Sequence, residues 1–306
     1  MTAPTANRAR AGGARDEIDR PIFVIGTGRS GTTLFLQLLG FHPDLAWFST
    51  YGNYFYRWSW PALLSRVRDL PGIDRVLPLE GRYTPKPTES YGILDEVTGN
   101  LFTAARRLQA SDATPEIAKR FRRRVLAYLR LQGKPRFATK HTGFARTNFL
   151  RAIFPNARFI HVYRDGRAVA NSLIRVDWWK ELDSWRWGPM RPEYAEEYER
   201  SGKDRLVLAA ISWKTLMDEI EDECRELPPG ALLRLRYDDL VSDLRPALQS
   251  VLRFAELPDR ELFWSRVDQH PVHDMEAKWR TDLDAEQREL LGKSLAQHLQ
   301  KYGFTP

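Results

Sequence analysis

The residues with the plainest chemistry stand in Gly26-Thr27-Gly28-Arg29-Ser30-Gly31-Thr32-Thr33, between an apolar run and an amphipathic one. Glycines at this density let successive backbone N–H groups turn inward. With a helix N-terminus behind them, those groups make a cradle for an anion. Arg29 puts a cation inside the loop. Three more groups suited to a phosphorylated ligand follow other apolar runs: Lys140 beside His141, Arg164 with Ser172 eight residues on, and Tyr237. Cations and hydroxyls hold phosphate and offset charge as it develops. Histidine adds a group able to take a proton near neutral pH.

To converge, these residues need strands that end side by side. Ile22-Phe23-Val24-Ile25 is a buried strand by length and β-branching, and Thr32 to Phe41 reads as a helix with Leu34, Leu38 and Phe41 on one face. Further strands are expected at Arg136 to Thr139, at Arg158 to Tyr163 after Pro155-Asn156, and at Ala231 to Tyr237 after Pro228-Pro229-Gly230. Thr114-Pro115-Glu116 opens a basic helix reaching about Arg130. Residues 204–224 set Leu206, Ala209, Trp213, Leu216, Ile220 and Cys224 on one buried face. Asp284 and Gln287 suit a capping box for a last helix. Strands separated by helices pair in parallel, so the expected class is α/β: a P-loop-type three-layer fold, its central parallel sheet flanked by helices. Such sheets bind ligands at the carboxyl ends of their strands. Residues 1–19 read as a flexible arm and 20–306 as one domain.

Composition narrows the class further. Of 306 residues, 42% are hydrophobic, 12% aromatic and 28% charged, with a net charge of +7. That balance suits an anionic ligand without selecting nucleic acid. The single cysteine, Cys224, excludes an internal disulfide framework and a cysteine-built zinc site. No apolar run approaches the roughly 18–20 residues that span a bilayer. Arg8, Arg10, Arg15 and Arg20 open the chain without an apolar segment, so a soluble cytoplasmic protein is expected.

The spacing Gly26 to Gly31 matches the Walker A loop, but Thr32 stands where an NTPase carries its phosphate lysine. The string GTGRSGTTL resembles instead the 5′-phosphosulfate loop of sulfotransferases that use 3′-phosphoadenosine 5′-phosphosulfate (PAPS). The run FPNARFIHVYRDGRAVANS is similar to the second anchor of the Golgi carbohydrate and tyrosylprotein branches, an arginine at a strand end and a serine on the next helix. The resemblance implies that Gly28, Arg29, Ser30, Gly31, Thr32 and Thr33 hold the 5′ side, and that Arg164 and Ser172 hold the 3′-phosphate. It further implies that Lys140 stabilises the transferring sulfuryl group, that Tyr237 helps place the adenine side, and that Lys278, within Glu276-Ala277-Lys278-Trp279-Arg280, reaches the nucleotide. The reaction so implied is in-line displacement onto a hydroxyl or amine of a small-molecule, sugar or lipid-linked acceptor. It releases 3′-phosphoadenosine 5′-phosphate (PAP) and requires no metal.

A base for the acceptor's proton is a separate need, worth about 10²–10⁴-fold. His141 ranks first, because the cytosolic sulfotransferases carry a Lys-x-His pair after a comparable strand; here the two residues are adjacent. After His42-Pro43-Asp44 the tyrosylprotein branch places a glutamate, where this chain has Ser49, Thr50 and Tyr51. Glu89, in a proline-rich segment, is the second candidate. His161 alternates into a strand interior, and Asp238-Asp239 lacks further metal ligands. Arg120, Arg122, Arg123, Arg124 and Arg130 form a basic stripe read as a solvated helix face. Two aromatic stretches, Trp47 to Trp60 and Trp178 to Trp187, each follow one of these motifs and offer rings either to an acceptor cleft or to packing beneath long loops. The competing classes are a P-loop kinase or NTPase and a nucleotide- or nucleic-acid-binding protein. No nucleic-acid partner is expected, since residues 119–124 interleave only Phe121 among their cations.

Overall fold

The computed structural model describes residues 17–70, 73, 81 and 83–305. Most of the expected arm, residues 1–16, lies outside the described residues. At its inner end Ile18 is buried and Asp19 bonds Arg20.

Five strands, β1 (Ile22–Ile25), β2 (Leu45–Trp47), β3 (Arg136–Lys140), β4 (Arg158–Tyr163) and β5 (Leu232–Arg236), form a wholly parallel sheet in the order β2-β3-β1-β4-β5. β1 is buried on both faces. Phe23 and Ile25 enter one core with Phe137 and Phe159, while Ile22 and Val24 enter another with Ala138, Ile160 and Val162. Double burial is why β1 reads as an unbroken apolar run rather than as alternation. β2 escapes a sequence reading because it has three residues and sits at the sheet edge.

The connections are helical. α1 (Thr32–Leu39) and α2 (Thr50–Tyr54) flank β2, and α3 (Tyr91–Thr98) and α4 (Pro115–Gln132) lead to β3. α5 (Thr147–Ile153) joins β3 to β4; α6 (Gly166–Leu173), α7 (Pro192–Arg200) and α8 (Arg205–Cys224) lead to β5. After β5 come α9 (Tyr237–Ser242), α10 (Leu244–Ala255), α11 (Glu261–Asp268), α12 (Trp279–Asp282) and α13 (Ala285–Lys301). The expected caps form: Thr114 accepts from the Ile117 N–H, and Asp284 with Gln287 completes a capping box. α1 stops two residues earlier than expected, at Leu39. It buries Phe35, Leu36, Leu38 and Leu39 rather than one stripe, because it is wedged between the sheet and α10–α11. The six apolar residues expected on one side of α8 are all buried.

From β1 the chain runs outward to β2, returns to β3, and then crosses β1 to reach β4. Connections therefore diverge on either side of β1, and that switch point is where a ligand crevice opens in a parallel sheet.

Candidate active site

The carboxyl ends of β1, β3 and β4 face a cavity of about 720 Å³. Its floor is the glycine loop. Gly31 has φ +87°, and a Cβ there would lie 2.1 Å from the Tyr237 ring, so neither the backbone nor the space admits a side chain. A Cβ at Gly26 would lie 2.4 Å from the Val162 carbonyl oxygen. The loop is thus pressed onto β4 and α9, leaving the first-turn N–H groups of α1 without intrahelical acceptors. Gly28, Arg29, Gly31, Thr32 and Thr33 line the cavity. Ser30 is buried beneath it, its Oγ donating to the Thr27 carbonyl at 2.7 Å. Tyr237 packs under the loop and does not line the cavity.

Two arginines meet above this floor. Arg29, left-handed at φ 67°, sends its Nε to Ser172 Oγ on α6 at 2.9 Å. Arg164 lies 4.5 Å over the Tyr237 ring and donates to Glu276 Oε2 at 2.6 Å and to the Met275 carbonyl at 2.8 Å. Asp165 turns away from Arg164, caps α6 and pairs with Arg167 at 2.7 Å. The structure therefore brings Arg29, Arg164 and Ser172 together, and adds a carboxylate that sequence reasoning did not place there. Burial raises the Glu276 carboxyl above its usual range against the pull of Arg164, and its Oε1 has no hydrogen-bond partner among the described residues. Lys278, two residues on, is exposed and outside the cavity lining.

On the other side of the loop β3 delivers Lys140, almost fully buried, with Nζ 3.3 Å from Thr32 Oγ1 and 3.1 Å from Glu89 Oε2. Glu89 Oε1 accepts from the Thr142 hydroxyl at 2.8 Å, and Tyr91 donates to the Thr142 carbonyl at 2.8 Å. Burial works to raise the Glu89 carboxyl, but Lys140 and the Thr142 hydroxyl outweigh it and hold the group below its usual range. The Tyr91 phenol is pushed up by burial and by the Glu89 charge. His141 points the other way, as a strand neighbour of an inward lysine must. It is buried edge-on against Phe102 with Nε2 3.0 Å from the Ala145 carbonyl, and burial pushes its pKa down to about 3, Arg146 adding to the effect. It does not line the cavity.

Arg146 does, and the sequence reading missed it. It adopts φ 54°, lies 5.0 Å from the Phe102 ring and donates to the carbonyls of Phe144 and Phe102. Glu223 on α8 clamps this turn through the N–H groups of Ala145 and Thr147 at 3.0 and 3.2 Å. Burial pushes its carboxyl up to about 7. The signal was a carboxylate beside Cys224 in a helix otherwise buried on that flank.

The far wall is apolar: Phe102, Leu173, Trp178, Trp179, Trp187 and Leu216. Of the second aromatic stretch, Trp185 bonds the Gly188 carbonyl and stays off this wall. The first stretch does not overlie the cleft. Trp47 and Phe48 are core residues on and after β2, while Tyr54, Phe55, Trp58 and Trp60 face outward. Nor is the basic stripe wholly solvated, since Arg124 is buried and bonds Glu96 at 2.8 Å. Asp238 is taken by Arg236 at 2.9 Å, and His161 is buried with its pKa pushed down to about 3.

A parallel α/β sheet carrying an anion loop at its switch point, with a lysine and an arginine at the two neighbouring strand ends, is the plan of a group-transferring P-loop-like fold. Residues 21–261 match the model of the sulfotransferase family; the chain belongs to that family and is a sulfotransferase. It is 26% identical over 318 residues to the omega-hydroxy-beta-dihydromenaquinone-9 sulfotransferase Stf3 of Mycobacterium tuberculosis, covering 94% of this chain and 76% of that one. A protein-tyrosine sulfotransferase of Drosophila melanogaster is 22% identical over 241 residues, 78% of this chain and 38% of that protein. Among solved structures, sulfotransferase STF9 of Mycobacterium avium shares the fold with a TM-score of 0.58 at 17% identity, covering 94% of this chain and 78% of that one. These matches do not favour the kinase and nucleic-acid alternatives. Among the described residues no cluster of three His, Cys, Asp or Glu could hold a metal, and no helix is long and apolar enough to cross a membrane.

Proposed function

We propose that the enzyme moves the sulfuryl group of PAPS to the hydroxyl, or amine, of an acceptor with an apolar body, releasing PAP. The observation that carries this reading is the placing of Lys140 Nζ between Thr32 at the loop and Glu89, 3.3 and 3.1 Å away. One ammonium there touches both the anion floor and a carboxylate at the cavity edge.

The donor set fits such a nucleotide. The first-turn N–H groups of α1 and Arg29 would hold the 5′ side, and Arg164 with Ser172 the 3′-phosphate. Tyr237 supports the loop from beneath, and Lys278 would have to swing inward to reach the nucleotide. That Arg164 already binds a carboxylate supports a site built for an anion. PAPS supplies the activated sulfuryl group. Glu89 accepts the acceptor's proton, so that the freed oxygen attacks sulfur in line as the bond to PAP breaks. Lys140 and Arg29 offset charge on the leaving and equatorial oxygens. Glu89 takes the role of base ahead of His141, because it is ionised at neutral pH and faces the cavity, whereas His141 is sealed behind Phe102. The mycobacterial relative is named for an omega-hydroxy menaquinone; a hydroxyl on an apolar body suits the tryptophan wall here as well.

Thermal unfolding tests the donor half. PAP without Mg²⁺ is expected to raise the midpoint, by about 2.7 kcal/mol of stability at a hundredfold excess over Kd, while ATP with Mg²⁺ or duplex DNA leaves it unchanged. Stabilisation by ATP–Mg²⁺ or DNA, with none by PAP, rejects the assignment.

A further inference from the structure

From α2 into the tight helical segment Trp60–Asp69, the chain shows solvent a run of large apolar side chains that no core absorbs. Tyr54, Phe55, Trp58, Trp60, Leu63 and Leu64 are between 39% and 79% exposed, and Phe55 and Trp60 lean on each other at 5.6 Å. Scattered exposed aromatics need no account, but a contiguous set on one short segment does. The segment is held from below: buried Arg124 on α4 donates to the backbone carbonyls of Tyr56 and Arg57 and is itself fixed by Glu96 at 2.8 Å. A rigid base presenting bulky side chains outward is the arrangement of a docking surface.

The charges around it select the partner. Arg57 and Arg66 lie within the patch, and Arg120 and Arg123 occupy exposed positions on α4 within one turn before Arg124. None of the four makes an ion pair among the described residues, whereas two neighbouring carboxylates are spent, Glu96 on Arg124 and Asp69 on Lys134 at 2.7 Å. Tryptophan and tyrosine rings with exposed arginines beside them, Arg57 lying 5.9 Å from the Tyr56 ring centre, match an interface that is anionic at its surface and apolar just beneath. We propose that the Tyr54–Leu64 face docks peripherally on an anionic lipid bilayer. The same backbone reaches the reaction site. The Thr50 N–H donates to the Lys86 carbonyl at 3.0 Å, Thr88 to that of Phe48 at 3.1 Å, and Gly92 to Asn53 Oδ1 at 3.1 Å. The docking segment is thereby bolted to residues 86–92, which supply Glu89 and Tyr91 to the cavity. Docking rests on the exposed surface alone and stands whatever acceptor the cavity takes.

Co-sedimentation of the full chain with vesicles tests it, comparing phosphatidylcholine alone with an equal mixture of phosphatidylcholine and phosphatidylglycerol. The protein pellets with the anionic vesicles and much less with the neutral ones, and added salt weakens the binding. Trp58→Ala/Trp60→Ala lowers the partition coefficient about tenfold, and Arg57→Gln about fivefold. Thermal stabilisation by PAP, measured on the same variants, separates surface effects from damage to the fold or the donor site; if the tryptophan pair unfolds, Tyr54→Ser/Trp58→Ser replaces it. Protein that stays in the supernatant with both vesicles overturns the proposal, as does unchanged binding by the aromatic variant. Light scattering that finds a dimer dissociated by the same substitutions overturns it too, and assigns the face to self-association.

Discussion

The two walls of the cavity are built on different principles. The donor wall consists of strand ends: Gly26 to Thr33 after β1, Lys140 ending β3 and Arg164 following β4. Sheet register fixes Lys140 opposite Val24, while beyond the strand ends Arg29 is held by Ser172 and Arg164 by Glu276. The wall proposed for the acceptor comes mostly from segments between elements, around Phe102 and Trp178 to Trp187, joined by Leu173 of α6 and Leu216 of α8, with ring contacts such as Phe144 with Trp187 at 6.1 Å behind it. Strand ends deliver charge at fixed positions, which phosphate and sulfuryl groups require; loops deliver area, whose shape can be retuned without disturbing the sheet. Glu89 is the hinge of the comparison, since it comes from a loop yet is fastened to the donor wall through Lys140.

Substitutions separate the walls, and the largest effect falls at their junction. Glu89→Gln should lower kcat by about 10²–10⁴-fold while leaving PAP-induced thermal stabilisation intact. His141→Asn should leave kcat within a few-fold, even where it lowers the melting temperature; the opposite pattern in steady-state assays would return the base to His141. The pH dependence has a fixed sign. Glu89 is held below its ordinary value of 4.5, so activity should be lost only as pH falls through that depressed value. Lys140→Ala comes next, expected to cost about 10²–10³-fold in kcat through lost charge compensation. Single-turnover rates would expose it even if product release limits the wild type.

Arg164→Ala should weaken PAP, read by calorimetry, by about 10–100-fold, the worth of a charge-assisted contact. A smaller loss would mean that displacing Glu276 consumes most of what the 3′-phosphate gains. Trp187→Ala should raise acceptor KM by about 2–10-fold with PAP affinity unchanged. An equal effect on PAP would show that the walls are one mechanical unit and that their separation is only geometric.

What could be read from the chain follows the same division. β1 and β4 announce themselves as β-rich runs, and β3 and β5 as shorter strand-like runs, closed by Gly26, Arg164, Lys140 and Tyr237 respectively. The anion loop is local, so its spacing carries its meaning. β2 is too short to show a period. Glu89 could be named but ranks below His141 on sequence alone, because its partners Lys140 and Thr142 lie some fifty residues further on. Arg146 carries no motif at all; it depends on a left-handed turn that Glu223 holds from α8. The aromatic residues were visible as a composition, but which of them pack, line the cavity or face solvent depends on tertiary contacts, as where Arg124 of α4 holds the Tyr56 and Arg57 carbonyls.

The topology of β1 also sets a schedule. Its hydrogen-bonding neighbours are β3 and β4, so Ile22 pairs with Ala138 on one side and Arg158 on the other. Contacts this distant along the chain close large loops before they return any stabilisation, which slows folding. On the ribosome the glycine loop emerges before its sheet neighbours, β3 being complete at residue 140 and β4 at 163, and before the Tyr237 that lies beneath Gly31. The loop is therefore made well before it can take its shape, and through that interval its apolar strand is open to non-native contacts.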